Sequence, residues 1–329
     1  MTASPLVWVV GSGGLLGKSV WRELDADAWR PEHALTWADP TQLSEDLSAA
    51  VHAFGARVAA DAPRPWAVAW CAGAGVVATS AAALAQETAA FQRFLRLLAA
   101  EPTLRARLGS ISLASSAGGI YGGCLESSIN ESTPPQPISP YGQAKLAQEQ
   151  LFKTWLDGQP HVRGLIARFS NLYGPAQRLD KAQGLISHIA RCAIHGSPVH
   201  IYVSLDTIRD YLFADDAAHG LVDGIRRVSG DARSAQNSIT KIYASEGEVS
   251  IAALLGVFRQ IARRRLKVVS GLHPTTALQP RRLRFRSQVW SASVRRVELV
   301  EGVSRVYNHQ RALFARGLLP LPPVTVPKR

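Results

Sequence analysis

Cysteine is scarce in this chain, with only Cys71, Cys124 and Cys192 in 329 residues. Three scattered thiols cannot staple a small secreted scaffold, and they show no metal-ligand spacing. A disulfide framework and a metal centre are therefore not expected, and a reducing, cytoplasmic setting is. Long apolar runs are also missing. The N-terminal stretch LVWVV is too short to span a membrane and lacks the basic start of a secretory signal, so no membrane segment is expected. There is no internal repeat, and no low-complexity segment beyond an alanine-rich patch at Ala78–Ala90.

The composition that remains, 47% hydrophobic and 19% charged, suits a globular protein of one large or two medium domains with a sizeable core. The formal net charge of +12 fits a nucleic-acid surface, an acidic substrate or simply an arginine-rich composition. The basic runs at Arg263–Arg265 and Arg281–Arg286 are short, with one interleaved aromatic, Phe285. A solvated face is the simpler reading of both, and no nucleic-acid partner is expected.

Apolar runs recur at Leu6–Val10, Ala34–Trp37, Trp66–Cys71, Ser110–Ala114 and Val162–Phe169, with helical patterns between most of them, notably Ser80–Ala100 and Tyr141–Leu156. Strands that are apolar along their length and alternate with helices imply an α/β fold, a doubly wound parallel sheet covered on both faces. After Tyr173-Gly174-Pro175 the texture becomes more basic and irregular. The expected division is a first domain over 1–174, to which about 205–236 returns, and a smaller C-terminal substrate domain made mainly of 175–329. Proline clusters mark a loop at Pro134–Pro140 and a loose tail at Pro320–Pro327.

The first strand runs into Gly11-Ser12-Gly13-Gly14-Leu15-Leu16-Gly17, placing glycines at 11, 14 and 17 where a helix opens. Such glycines let backbone approach a pyrophosphate, and the N–H groups at the helix start, Leu15 and Leu16 included, favour its charge. About 20 residues beyond this turn an acidic residue is expected to hold the adenosine ribose, and Asp39 is the nearest candidate. With Pro40 it could instead cap a helix. No arginine lies between residues 31 and 56 to meet a 2′-phosphate, which favours NAD over NADP.

A second motif is SPYGQAKLAQEQ at Ser139–Gln150. Ser139 can cap a helix and Pro140 suits its first position, so Tyr141 and Lys145, four residues apart, share one face near the helix start. A tyrosine has a reference pKa of about 10, so service as a base near pH 7 needs a shift of about 3 units, roughly 4 kcal/mol. A neighbouring ammonium biases it in that direction.

Taken together, VVGSGGLLG, WCAGAG at Trp70–Gly75, LASSAGGIYGG at Leu113–Gly123, SPYGQAK, ARFSNLYGP at Ala167–Pro175 and IRDYLFADDAA at Ile208–Ala218 resemble the NAD-dependent epimerase/dehydratase family of extended short-chain dehydrogenases/reductases, over nearly the whole chain. The resemblance implies a Rossmann domain with a smaller substrate domain, NAD as cofactor, a nucleotide-diphosphate sugar as substrate and a homodimer built on the helices at Ser80–Ala100 and Tyr141–Leu156. It implies that Tyr141 is the acid/base and that Lys145 both assists it and binds the cofactor ribose. Cys71, Ala72 and Gly73 would line the cofactor.

The resemblance also asks for a Ser or Thr that holds the sugar hydroxyl. Ala117 stands four residues before Tyr121, where that residue is most common, so the role passes to Ser116, with Ser115 as the alternative. Dehydratases of this family carry an Asp-Glu pair directly after the hydroxyl residue, whereas Ala117 and Gly118 take those places here. This disfavours dehydration and leaves epimerisation, with C4 the expected site, or oxidation and reduction of a keto-sugar. Asn171 and Arg209 stand where the family contacts the diphosphate, and Ala244 replaces a glycine common near the sugar site. A non-catalytic cofactor-binding relative is the reading outside enzymes.

Overall fold

The computed structural model describes residues 4–179, 184–230, 236–271, 280–290 and 297–322. Its elements in chain order are β1 (Leu6–Val10), α1 (Leu15–Leu24), β2 (Ala28–Trp29), α2 (Pro40–Ala60), β3 (Trp66–Trp70), α3 (Ala81–Ala100), α4 (Pro102–Ala106), β4 (Gly109–Ser116), α5 (Ala117–Ile120), α6 (Pro140–Asp157), β5 (Val162–Phe169), β6 (Asn171–Tyr173), α7 (Leu185–His195), β7 (Val199–Ile201), β8 (Ile208–Arg209), β9 (Tyr211–Phe213), α8 (Ala214–Gly230), β10 (Ser238–Tyr243), β11 (Val249–Ser250), α9 (Ile251–Ala262), β12 (Val268–Ser270) and α10 (Leu299–Ala315). Of the proline tail, residues 323–327 lie outside the described residues. No helix among the described residues is long and apolar enough to cross a membrane.

Six strands form one sheet in the order β10-β5-β4-β3-β1-β2, every pair parallel. All five residues of β1 and of β3 are buried, because helices cover both faces and leave no polar side for alternation. On one face the sheet meets α2, α3 and α6 through Trp8, Phe54, Trp70, Phe91, Phe94 and Phe152. On the other it meets α1 and α8 through Val7, Val9, Val20, Leu221 and Ile225. This is the doubly wound parallel sheet that the alternating pattern predicts. Leu84, Phe91, Leu95 and Leu98 of α3 are buried, the last three in the cluster on the first face of the sheet, so the apolar stripe of that helix serves the core.

The order of the sheet joins distant sequence. β10 pairs along its length with β5, and α8 packs beside α1. A third cluster gathers Ile189, Phe213, Leu254, Phe258 and Val306 from α7, β9, α9 and α10.

The second strand departs from expectation. The partner of β1 is Ala28–Trp29, and Ala34–Trp37 is loop. Trp29 fits the position because its ring meets Trp8 edge-on at 5.2 Å and Phe54 at 4.9 Å. Pro31 then lacks the N–H that a continuing ladder needs. The apolar run at Ala34–Trp37 anchors a loop instead. Leu35 packs on the core, the Thr36 N–H donates to Asp46, and Trp37 lies 6.0 Å from Trp70.

Candidate active site

The carboxyl ends of β1 and β3 meet at the first glycine turn. Gly11 has φ +84°, and its neighbour across the turn, Gly14, donates its N–H to the Gly11 carbonyl at 3.0 Å. A Cβ on Gly17 would lie 2.2 Å from the Gly11 oxygen, and one on Gly11 would lie 2.7 Å from the Ala72 nitrogen. The turn therefore closes only with glycine at both positions. A Cβ on Gly13 would meet open space, so the outer side of the cradle is free. Helices α2, α3 and α6 have side-chain caps from Asp39, Ser80 and Ser139, whereas α1 starts at Gly14 with none. An uncapped helix start behind a cradle that one methyl would fill fits a dinucleotide pyrophosphate. Leu15 and Leu16 open that helix, and Cys71-Ala72 close the turn from β3, the Cys71 N–H donating to Val10 at 2.9 Å. Burial pushes the Cys71 thiol up to about 12, so it stays neutral.

Asp39 is at the start of α2 and not at a strand end. Its Oδ1 accepts from the N–H groups of Thr41 at 2.8 Å and Gln42 at 3.1 Å. The ribose role rested on a strand at Ala34–Trp37, and with that strand at Ala28–Trp29 the premise fails. The residue directly after β2 is Arg30, immediately before the arginine-free stretch 31–56, with its guanidinium 4.9 Å over the Trp21 ring.

Tyr141, Lys145 and Ser116 come together. Ser139 caps α6 by accepting from the Gly142 N–H at 3.1 Å, which fixes the start of the helix and so the face shared by Tyr141 and Lys145. Ser116 ends β4 and caps the short α5, accepting from Gly119 at 3.1 Å. A Cβ on Gly119 would lie 3.0 Å from Cε1 of Tyr141 and 3.3 Å from the Ser116 hydroxyl oxygen, so the ring and the hydroxyl meet at this glycine. Lys145 is buried, with Nζ 3.3 Å from Gln148 Oε1 and 3.5 Å from the Ala114 carbonyl. Ser115 points elsewhere and donates to Glu149 at 2.6 Å.

The loop after β3 covers this pair. A Cβ on Gly73 would lie 3.5 Å from both Lys145 Nζ and Glu87 Oε2, and one on Gly75 would lie 3.5 Å from Tyr141 Cδ2. Glu87 of α3 accepts from the Ala74 N–H at 2.7 Å. Sequence reading missed this carboxylate. Its signal was a charge three residues after Leu84 and four before Phe91, on the face of the helix that carries the apolar stripe.

Asn171 lies beside the segment that carries Arg209. Asn171 leads β6 beside β9, and its side-chain amide donates to the Asp210 carbonyl at 2.8 Å. Arg209 donates to its neighbouring carbonyl at Ile208, and burial pushes its guanidinium down. Neither nearby carboxylate pairs with it. Asp206 is bound by Arg281, while Asp210 accepts from Ser170 and Ser245. Among the described residues Arg209 therefore has no carboxylate partner, as suits a cation that awaits an anion. No cluster of three metal-ligating side chains occurs among the described residues.

A model of the NAD dependent epimerase/dehydratase family matches residues 7–235. A dTDP-D-glucose 4,6-dehydratase of Homo sapiens is 33% identical over 112 residues, 33% of this chain and 30% of that protein. A UDP-glucose 4-epimerase of Azospirillum brasilense is 33% identical over 129 residues, 35% of this chain and 36% of that protein. The chain thus matches about a third of the length of these curated relatives. The crystal structure of the UDP-glucose 4-epimerase of Thermotoga maritima with UDP-glucose has the same fold, with a TM-score of 0.73 and 18% identity over 94% of this chain and 99% of that one. The chain belongs to the NAD-dependent epimerase/dehydratase family.

Proposed function

We propose that this protein is an NAD-dependent nucleotide-sugar epimerase that oxidises a sugar hydroxyl, at C4, and returns it inverted through a keto intermediate. The observation that carries the reading is the meeting of Tyr141 and Ser116 at Gly119, with Lys145 buried beside them and the open glycine cradle two strands along the sheet, after β1. When bound, NAD supplies the hydride acceptor and later the donor. Ser116 orients the sugar hydroxyl, Tyr141 takes its proton, and Lys145 stabilises the phenolate and holds the ribose of the cofactor. Tyr141 then returns the proton to the reduced sugar of opposite configuration. Gly11, Gly14, Leu15, Leu16 and Gly17 hold the pyrophosphate, with Cys71, Ala72 and Gly73 along the cofactor. Arg209 and Asn171 hold the diphosphate of the substrate.

The two residues after Ser116 disfavour dehydration. Ala117 is fully buried, and the place of a side chain at Gly118 faces Leu283 Cδ1 at 3.9 Å. Neither position offers the extra acid or base that loss of water requires. A panel of nucleotide-diphosphate sugars, assayed for epimer formation and for NADH absorbance together, tests the proposal. Inverted product without net NADH supports it, and no change in any sugar removes it.

One observation favours a second reading. Arg30 directly follows β2, the position from which an arginine can meet a 2′-phosphate, and the enzyme would then be a keto-sugar reductase that consumes NADPH with the same Tyr141, Lys145 and Ser116.

A further inference from the structure

Glu149 lies one turn beyond Lys145 on α6 and is almost wholly buried, at 1% exposure. Its carboxylate is fully engaged. Oε1 accepts from the Ser115 hydroxyl at 2.6 Å and from Arg168 Nε at 3.0 Å, while Oε2 accepts from Arg168 Nη2 at 2.6 Å. Arg168, on β5, is 4% exposed, and its Nη1 donates to the hydroxyl of Tyr121. Tyr121, the residue after α5, passes a hydrogen bond on to the Asn130 carbonyl at 3.2 Å. One buried network thus joins β4, α6, β5 and the end of α5. The elements it joins include every one that carries Ser116, Tyr141 or Lys145.

Stability alone is a weak reason for this arrangement. A buried ion pair gains little over apolar residues of the same shape, because desolvation offsets its attraction. The geometry offers a better one. Adjacent residues of a strand point to opposite sides, so the bond from Ser115 to Glu149 sets the rotation of the last turn of β4 and with it the aim of Ser116. The fork of Arg168 holds Glu149 bidentately, which a point charge would not do, and so fixes α6 one turn from Lys145.

We propose that Glu149, locked by Arg168, is a positioning residue for proton transfer, aiming Ser116 through Ser115 and seating Lys145 through α6. Glu149, Arg168 and Ser115 do not touch the reacting atoms. The inference rests on the proposed function, because it concerns the same Tyr141 chemistry.

Two variants of the full-length protein test it. Ser115→Ala removes only the strut, and Glu149→Gln keeps the shape and an acceptor for Ser115 while removing the charge opposite Arg168. Misplacement of reacting groups by about 1 Å costs up to ~10²-fold in rate. Ser115→Ala should therefore lower kcat about 10-fold, and Glu149→Gln further, with KM and NAD affinity within about twofold of wild type. The isotope effect on kcat with sugar deuterated at the oxidised carbon should rise, as chemistry becomes slower than product release. Hydrogen exchange should quicken at the end of β4 and the first turns of α6. Should Glu149→Gln fail to fold, Ser115→Ala alone decides. Faster exchange with wild-type kcat and isotope effect per NAD-loaded site would make the network merely structural and overturn the proposal, as would unchanged exchange. A wild type inert toward every nucleotide sugar removes the proposed function and this inference with it, whereas an active wild type with unaltered variants removes the inference only.

Discussion

Gly142, in the first turn of α6, lies so close to Gly119 of α5 that a Cβ on it would sit 2.1 Å from the Gly119 carbonyl oxygen. This contact brings the ring of Tyr141 to the hydroxyl of Ser116, and it explains why a glycine comes directly after the tyrosine.

Gly142→Ala should therefore push α6 from α5. Helix propensity favours alanine by about 1 kcal/mol, but overpacking against backbone costs about 1–3 kcal/mol, and no flexible side chain is there to yield. The variant should be less stable and lose most of its turnover while retaining NAD. Thermal unfolding and a cofactor titration check this, and unchanged stability with full activity would contradict the contact.

Arg209→Gln should raise KM for the nucleotide sugar about 10- to 100-fold, since hydrogen bonds to charged groups contribute about 1.5–3 kcal/mol. NAD affinity should not change. Steady-state kinetics and calorimetric cofactor binding read the two apart.

NAD should bind more tightly than NADP, as the family implies, and fluorescence titration of both cofactors measures it. Arg30 sharpens the test. If NADP binds more tightly and Arg30→Ala abolishes that preference, the reductase reading displaces the epimerase. Asp39→Ala should leave NAD affinity alone and cost about 1 kcal/mol of stability through its lost helix cap.

A homodimer built on α3 and α6 is expected. The buried stripe of Leu84, Phe91, Leu95 and Leu98 belongs to the core, so the contact must use the outer faces of these helices. Light scattering at micromolar concentration checks it, and a monomer would remove the claim.

The parallel sheet was legible because its strands are apolar on both faces, a pattern that helices on one side alone would not produce. Gly11, Gly14 and Gly17 were legible because close backbone approach leaves glycine as the sole option, and Tyr141 and Lys145 because a serine-proline helix start fixes their shared face. β2 was not. Its two residues carry no period, while the apolar Ala34–Trp37 has the look of a strand and serves as a loop anchor, so Asp39 was misplaced relative to the strand end and Arg30 was passed over. The choice between Ser115 and Ser116 was likewise hidden, because it depends on Glu149, which reaches β4 from α6 only through the fold. Helical spacing puts Glu87 on the inner face of α3, but its contact with the loop at Ala74 arises only in the fold.

The central claim, that Tyr141 moves the proton, is tested most directly by turnover of Tyr141→Phe with NAD bound. The ring still packs at Gly119, so fold and cofactor should be retained while kcat falls about 10²- to 10⁴-fold, the usual contribution of acid/base assistance. Ser116→Ala should lose rate with NAD in place, and Lys145→Met should lose both rate and NAD affinity. The phenylalanine variant turning over its nucleotide sugar at the wild-type rate would contradict the account, leaving Tyr141 and Lys145 as ordinary helix neighbours.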